Sequence, residues 1–359
     1  MTIRRRRARV VKIGSLSIGG RNPVAVQSMA KTFTSDLSAT VKEIKGLQSA
    51  GCQLVRVAVR DNRDAANLKR IKQRIAIPLV ADIHFDKNLA IKAIESGVDK
   101  IRLNPGNIHK PSQVREIARA AKSARIPIRV GVNSGSVMNY PHIAKSYSKN
   151  PAQSMAGCAL DYIKLLEGAG FKDIVVSLKG SDIFTTIRAN QIVAGRCDYP
   201  LHLGVTATGV SQSGIIKSAM VIGRLLCEGI GDTIRISLTD RAVCEVKAGF
   251  YILQALGMGN CAAEIISCPT CGRCQVDLIK IVQELESNLG TGSVKSANHT
   301  LKVAVMGCVV NGPGEARQAD LGVAFGKDGG LLFKKGKAIR KVPLQRCVNT
   351  LLDELNVIS

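Results

Sequence analysis

Leu54-Val-Arg-Val-Ala-Val59, Pro78-Leu-Val-Ala-Asp82 and Lys100-Ile-Arg-Leu103 are short β-branched runs separated by amphipathic stretches. Runs this apolar fit strands covered on both faces, and their alternation with helical stretches specifies parallel strands joined by right-handed crossovers. The same unit recurs outward in both directions, at Val24 to Ser28, Pro127 to Val132, Asp173 to Leu178, Pro200 to Val205 and Thr233 to Leu238. Eight strand-helix units between residues 24 and 257 come close to the ~250 residues of a closed (β/α)8 TIM barrel. An open doubly wound sheet would carry a GxGxxG turn after its first strand, and none is present.

Helix punctuation agrees with the strands. Asp36 or Ser38 and then Asp86 are placed as N-caps, Pro111 opens a helix, and Gly51, Gly97, Gly170 and Gly229 follow helix ends. Val41, Ile44 and Leu47 share one helical face, as do Leu89, Ile91, Ala93 and Ile94, and each stripe is expected to be core. Past residue 257 the style changes to clustered cysteines, a polar stretch from Ser287 to Thr300 and short strands near Lys302 to Met306 and Leu321 to Phe325. The expected organisation is a barrel domain over 1–257, with a short basic arm, and a smaller α+β domain over 258–359.

The 359 residues carry 51 Lys and Arg against 27 Asp and Glu, a formal charge of +24, with 45% hydrophobic residues. That excludes disorder and leaves an acidic partner open. Aromatics are only 3% and Trp is absent, against a surface that stacks successive bases. Eleven cysteines, an odd count in a chain too long to need disulfide staples, fit a reducing cytoplasm. Arg4 to Arg7 and Arg9 form a solvated basic arm without the apolar run of a signal peptide, and no run reaches membrane-spanning length.

In a barrel, chemistry sits at the C-terminal strand ends. Those ends hold Gln27 and Ser28, Arg56, Asp82 with His84, Arg102 with Asn104 and Asn107, Arg129 with Asn133 and Ser136, Ser177 with Lys179, His202 with Thr206, and Arg235 with Ser237. Any one Arg could point outward under a helix. Four Arg and a Lys in equivalent positions instead indicate a bound polyanion, because guanidinium forks match phosphate oxygens. A phosphate or diphosphate site is expected, with Asp82 and His202 as weaker catalytic candidates.

Cys268-Pro-Thr-Cys271-Gly-Arg-Cys274, with Cys308 in Met-Gly-Cys-Val-Val-Asn-Gly-Pro-Gly-Glu315, is a thiolate set suited to zinc or iron-sulfur. Glu315 is either an exchangeable fourth ligand or a helix-start carboxylate. Cysteines 52, 158, 197, 227, 244, 261 and 347 fit buried small hydrophobes.

These segments, with Val26-Gln-Ser-Met29, Ala81-Asp-Ile-His-Phe85, Ile101-Arg-Leu-Asn-Pro-Gly-Asn107, Arg129-Val-Gly-Val-Asn133 and Gly231-Asp-Thr-Ile-Arg-Ile-Ser237, resemble one family over nearly the whole chain. It is the 4-hydroxy-3-methylbut-2-en-1-yl diphosphate synthases of non-mevalonate isoprenoid biosynthesis. The resemblance implies an oxidoreductase that opens and dehydrates 2-C-methyl-D-erythritol 2,4-cyclodiphosphate. It also implies one [4Fe-4S] cluster on Cys268, Cys271, Cys308 and Glu315, and a flavodoxin or ferredoxin as electron donor. By the same resemblance Arg56, Arg102, Arg129, Lys179, Arg235 and Ser237 hold the diphosphate, Asn104 and Asn133 line the mouth, and a head-to-tail homodimer joins cluster to substrate.

The chain departs from the family pattern at Ala207, where a Glu is usual, at Ala30 and Lys31, and in the added Cys274. Thr208, His202, Asp82, His84 or cluster-bound solvent are the candidate replacements for that Glu. The alternatives carried forward are a zinc-stabilised basic nucleic-acid-binding protein and a weakly active family member.

Overall fold

The computed structural model describes residues 3–141, 149–206, 208–258, 263–289 and 301–358, so Ala207 and Cys261 lie outside the described residues. The chain divides into two compact units, Met1–Ile252 and Leu253–Ser359.

The first unit opens with an antiparallel hairpin, β1 (Val11–Ile13) and β2 (Leu16–Ile18). Eight parallel strands follow: β3 (Ala25–Met29), β4 (Leu54–Val59), β5 (Leu79–Ile83), β6 (Lys100–Leu103), β7 (Ile128–Asn133), β8 (Ile174–Lys179), β9 (His202–Leu203) and β10 (Thr233–Ile234). Each pairs with its successor from β3 to β8. β9 pairs with β10 and β10 returns to β3, while a Val176–Leu201 bridge links β8 to the chain entering β9, nearly closing the barrel. The helices between and after them are α1 (Leu37–Ser49), α2 (Asn62–Lys72), α3 (Lys87–Glu95), α4 (Pro111–Ala124), α5 (Pro151–Gly168), α6 (Ile183–Ala194), α7 (Ser211–Cys227) and α8 (Ala242–Ala255).

Local chemistry sets these boundaries. Asp36 and Asp86 accept hydrogen bonds from Ala39 N and Asn88 N as N-caps, and Pro111 stands in the first turn of α4. Gly51, Gly97, Gly170 and Gly229 all take positive φ just past helix ends, a conformation other residues resist. The α1 stripe is buried as expected. In α3 the buried set is Leu89, Ala90, Ala93 and Ile94, with Ile91 only partly covered. β9 and β10 are shorter than their apolar runs; past them Arg235 N still donates to Leu203 O, while Leu238 N donates to Glu245 and Thr208 to Ser237 O.

Two sequence readings are corrected at the barrel bottom. The basic arm is not simply solvated. Arg5 donates to Asn22 O, Gly231 O and Asp232, and Arg6 to the carbonyls of Ala194, Cys197 and Tyr199. Apart from the Asp232 carboxylate these acceptors are backbone carbonyls, at the entries to β3, β9 and β10. The following residues do make an apolar element: Val11, Ile13 and Ile18 pack on Ala25, Leu54, Val80 and Val175, so the hairpin plugs the barrel floor.

The second unit is a five-stranded sheet of β11 (Glu264–Ser267), β12 (Lys302–Met306), β13 (Leu321–Gly326), β14 (Gly329–Lys334) and β15 (Lys337–Val342), in that order. The first three strands are parallel and the last two antiparallel. α9 (Leu278–Leu289), α10 (Gly312–Gln318) and α11 (Cys347–Ile358) complete it, with Leu285, Leu351 and Leu355 packed against Val303, Val323 and Phe325. Of the outlying cysteines, Cys52, Cys158 and Cys347 are buried, and burial pushes each thiol up to about 12. Cys197 and Cys244 are half-buried and Cys227 is exposed at the end of α7, against expectation. Among the described residues no helix is long and apolar enough to cross a membrane.

Candidate active site and metal centre

Because strand side chains alternate, Arg56, Arg102, Arg129, Lys179 and Arg235 all enter the barrel. They line one cavity at the C-terminal strand ends together with Asp82, His84, Asn133, Ser177, Thr206 and Ser237. Gly131 makes room for them, since a Cβ there would stand 2.4 Å from Arg102 Nε.

Among the described residues two carboxylates, Asp82 and Glu245, oppose these cations. Arg102 Nη1 donates to Asp82 Oδ1 at 3.0 Å and Nη2 to Gly131 O at 2.9 Å. Arg56 Nη1 stands 3.7 Å from Asp82 Oδ2, and its Nε and Nη2 donate to the Met29 sulfur. Arg235 Nη2 donates to Glu245 Oε2 at 3.2 Å, and Lys31 takes the other Glu245 oxygen at 3.0 Å. Among the described residues Arg129 and Lys179 have no anionic partner, although they are only 2% and 6% exposed. Burial, reinforced by the neighbouring cations, holds both below their ordinary range and lowers Arg56 to about 10. Among the described residues the cavity's basic groups thus outnumber the carboxylates that face them, which is costly without a bound anion.

The structure sorts the other sequence candidates. Burial alone would raise the Asp82 carboxyl, but Arg56 and Arg102, with His84, hold it well below the usual range. Asp82 is thus an ionised partner of two arginines and no proton donor. His202 does not reach the cavity: it is fully buried one layer down, with Nδ1 2.8 Å from Thr233 Oγ1, and burial, then Lys179, keeps it neutral. Asn104 is also off the cavity wall, its oxygen accepting from Gly106 N and its amide donating to Ser136 Oγ, so it shapes the loop after β6. Thr208 is buried against Ser237 O. His84 remains at the mouth, with its side chain 39% exposed, Nε2 3.1 Å from Arg102 and Nδ1 2.9 Å from Asn107. Glu245, Met29 and Gly131 were not anticipated as site residues. The available signal for Glu245 was a lone acid in the apolar first turn of the last barrel helix.

In the second unit, Cys268, Cys271, Cys308 and Glu315 line one cavity, with Thr270, Arg273 and Asn311. Gly307 N donates to Cys268 Sγ at 3.4 Å. The Cys308 thiol is lowered first by the backbone N–H of Val310, then by that of Asn311 and by Arg273, which favours thiolate ligation. Among the described residues no three Cys, His, Asp or Glu stand close enough to share one metal ion. The four candidates line one cavity and offer three thiols and a carboxylate, a donor set that fits an iron-sulfur cluster. Cys274 does not join them: its thiol donates to Val276 O and packs into the core, filling the space behind Gly307. Glu315 stands in the first turn of α10 and also faces the cavity, so both sequence readings describe its place.

Fold and sites together define a (β/α)8-barrel protein with a cation-lined mouth and a cysteine-lined second unit. The chain belongs to the GcpE family: the GcpE TIM-barrel domain matches residues 8–250 and the GcpE protein C-terminal domain residues 264–357. It is 50% identical over 355 residues to the 4-hydroxy-3-methylbut-2-en-1-yl diphosphate synthase (flavodoxin) of Bacillus cytotoxicus, covering 99% of this chain and 95% of that one. The protein of the same name from Bacillus mycoides matches with the same identity and coverage. Among solved structures, a dihydropteroate synthase from Stenotrophomonas maltophilia superposes with TM-score 0.50 at 13% identity, over 69% of this chain and 97% of that one, a likeness of fold alone.

Proposed function

We propose that this chain is an iron-sulfur oxidoreductase that converts 2-C-methyl-D-erythritol 2,4-cyclodiphosphate to 4-hydroxy-3-methylbut-2-enyl diphosphate. The observation that carries the reading is the surplus of buried cations around one barrel cavity, which calls for a polyanion of diphosphate size. Two electrons and a proton enter, a carbon–oxygen bond of the ring opens, water leaves, and the product carries one more negative charge than the substrate.

Arg56, Arg102, Arg129, Lys179 and Arg235 bind the diphosphate, with Asn133 and Ser237 on its rim. Asp82 and Glu245 hold Arg102, Arg56 and Arg235 in place rather than reacting. A [4Fe-4S] cluster on Cys268, Cys271, Cys308 and Glu315 supplies the electrons when bound, and its own source is a reduced flavodoxin or ferredoxin, acidic proteins that the +24 chain attracts. With His202 sealed and Asp82 ionised, we assign to His84, half-exposed at the mouth, the delivery of the proton that leaves with water.

Phe33, Phe85, Met138, Phe184 and Val210 all follow C-terminal strand ends and stand 51–79% exposed, an apolar rim around a charged mouth. We assign that rim to the second unit of another copy, in a head-to-tail homodimer, within a reducing cytoplasm. Iron, sulfide and zinc analysis after anaerobic reconstitution tests the cofactor: about four irons and four sulfides per chain are expected. Zinc retained without sulfide would overturn the redox reading and favour a structural zinc protein.

A further inference from the structure

Below the cation-lined cavity the barrel interior holds side chains where branched apolar residues ordinarily fill the layer. The two-residue period puts Gln27 one step below Met29, Lys100 one step below Arg102, and His202 below Gly204 and Thr206, all facing inward. They are 1%, 0% and 0% exposed. Lys100 Nζ, both amide atoms of Gln27 and His202 Nε2 have no hydrogen-bond partner among the described residues. The register sets apolar Leu54 opposite Gln27 and Val80 opposite Lys100, and these residues pack with Ala25 and Val175 against the N-terminal hairpin that closes the floor. The polar layer is thus enclosed between hydrocarbon and the cavity above.

The groups that act on Lys100 are Arg129 from β7 and Arg56 from β4, while Lys100 in turn acts on His202 of β9. On the neighbouring β5, Val80 stands opposite Lys100, and Asp82 one step up is already shared by Arg56 and Arg102. Among the described residues no carboxylate is therefore free to pair with a Lys100 ammonium, and a buried cation among cations sheds its proton. Burial, then Arg129 and Arg56, hold Lys100 well below the ordinary lysine range.

We propose that Lys100 is a positioning residue that couples diphosphate binding to proton uptake: it is a neutral amine in the empty barrel and becomes an ammonium when a diphosphate fills the cavity above it. The proton comes from solvent and forms an N–H bond on the Lys100 amine, with no other bond made or broken. This deepens the substrate reading and rests on it. Its use in turnover follows from charge: ring opening adds a negative charge in the cavity, and an ammonium one layer below stabilises it without touching the substrate. Lys179, on the cavity wall, lacks an anionic partner as well and adds a proton of its own, so the informative quantity is the part of the uptake that belongs to Lys100.

The test is calorimetric titration of the cyclic diphosphate into cluster-loaded protein without reductant, near pH ~8, in two buffers of different protonation heat, such as HEPES and Tris. The probe's phosphates are diesters with no titrating proton there, so exchanged protons are the protein's. Wild type is expected to take up protons on binding, K100M about one fewer, and the wild-type Kd to rise with pH by up to about tenfold per unit for each linked proton, more steeply than that of K100M. A lost packing contact alone would change affinity without changing the proton count. Binding with the same heat in both buffers, or equal uptake by K100M, would overturn this inference and leave the substrate reading standing. No binding in either buffer would overturn both. Should K100M not fold, lysine 13Cε NMR of the wild type reads the same event: two amine signals, from Lys100 and Lys179, become ammonium signals on adding the probe. A second amine that is absent, or that stays unchanged, would overturn it.

Discussion

Arg129 shows most plainly what the site asks of single residues. It is buried, has no anionic partner among the described residues, and sits among Arg56, Arg102 and Arg235, an arrangement that costs stability until an anion arrives. R129M is therefore expected to raise KM by about 10- to 100-fold, the value of one or two charge-assisted hydrogen bonds, while Tm holds or rises. Steady-state kinetics and a thermal melt on the same preparation check both halves.

Asp82 behaves oppositely. Its carboxyl is depressed in the fold, so its stabilisation is complete above the unfolded value of about 3.9 and is lost as pH falls toward the lower folded value. D82N should lose about 3 kcal/mol at neutral pH by leaving two arginines unpaired, and its urea midpoint should depend less on pH below about 4 than that of wild type.

The inward cations were legible from sequence because a two-residue period assigns faces. Depth along the barrel was not legible. His202 faces inward as expected and still lies one layer too low to meet a ligand. Glu245 escaped notice because it sits on a helix between apolar neighbours and finds its partners, Lys31 and Arg235, only through the closure of the barrel.

Among elements, the N-terminal hairpin has the largest role that sequence did not convey. Val11, Ile13 and Ile18 are individually ordinary, and their meaning depends on an open barrel floor that local sequence does not describe. Arg5 and Arg6 were misjudged for the same reason, since all their acceptors but the Asp232 carboxylate are backbone carbonyls, which leave no trace in residue type. I13D places a carboxylate against Leu54, Val80 and Val175, and we expect a loss of about 3 kcal/mol or more in urea unfolding with the cation cavity's own residues untouched. The eight strands and their helix caps were legible because apolar runs, Asp caps and positive-φ glycines each act locally.

At the scale of the whole molecule, the proposed reaction draws on two sets of residues, cations in one unit and cysteines in the other. The cysteine set was legible as a ligand set because its spacing is local, and the structure brings Cys268, Cys271, Cys308 and Glu315 to one cavity. A head-to-tail homodimer makes a specific prediction for mixed subunits. At substrate well below the raised KM, R129M alone and C271S alone should each be nearly inactive. Mixed dimers of the two should regain up to about half of wild-type activity per dimer, because one of the two composite sites then holds an intact mouth and an intact cluster. Mixing that restores nothing would argue for sites built within one chain.

The central claim is that this chain opens a cyclic diphosphate reductively, and the most direct measurement is turnover. Anaerobically reconstituted protein, supplied with reduced flavodoxin and 2-C-methyl-D-erythritol 2,4-cyclodiphosphate, should convert the ring phosphorus signals to those of an open diphosphate by 31P NMR, with C271S giving none. A cluster-loaded wild type that leaves the ring signals unchanged would contradict the account.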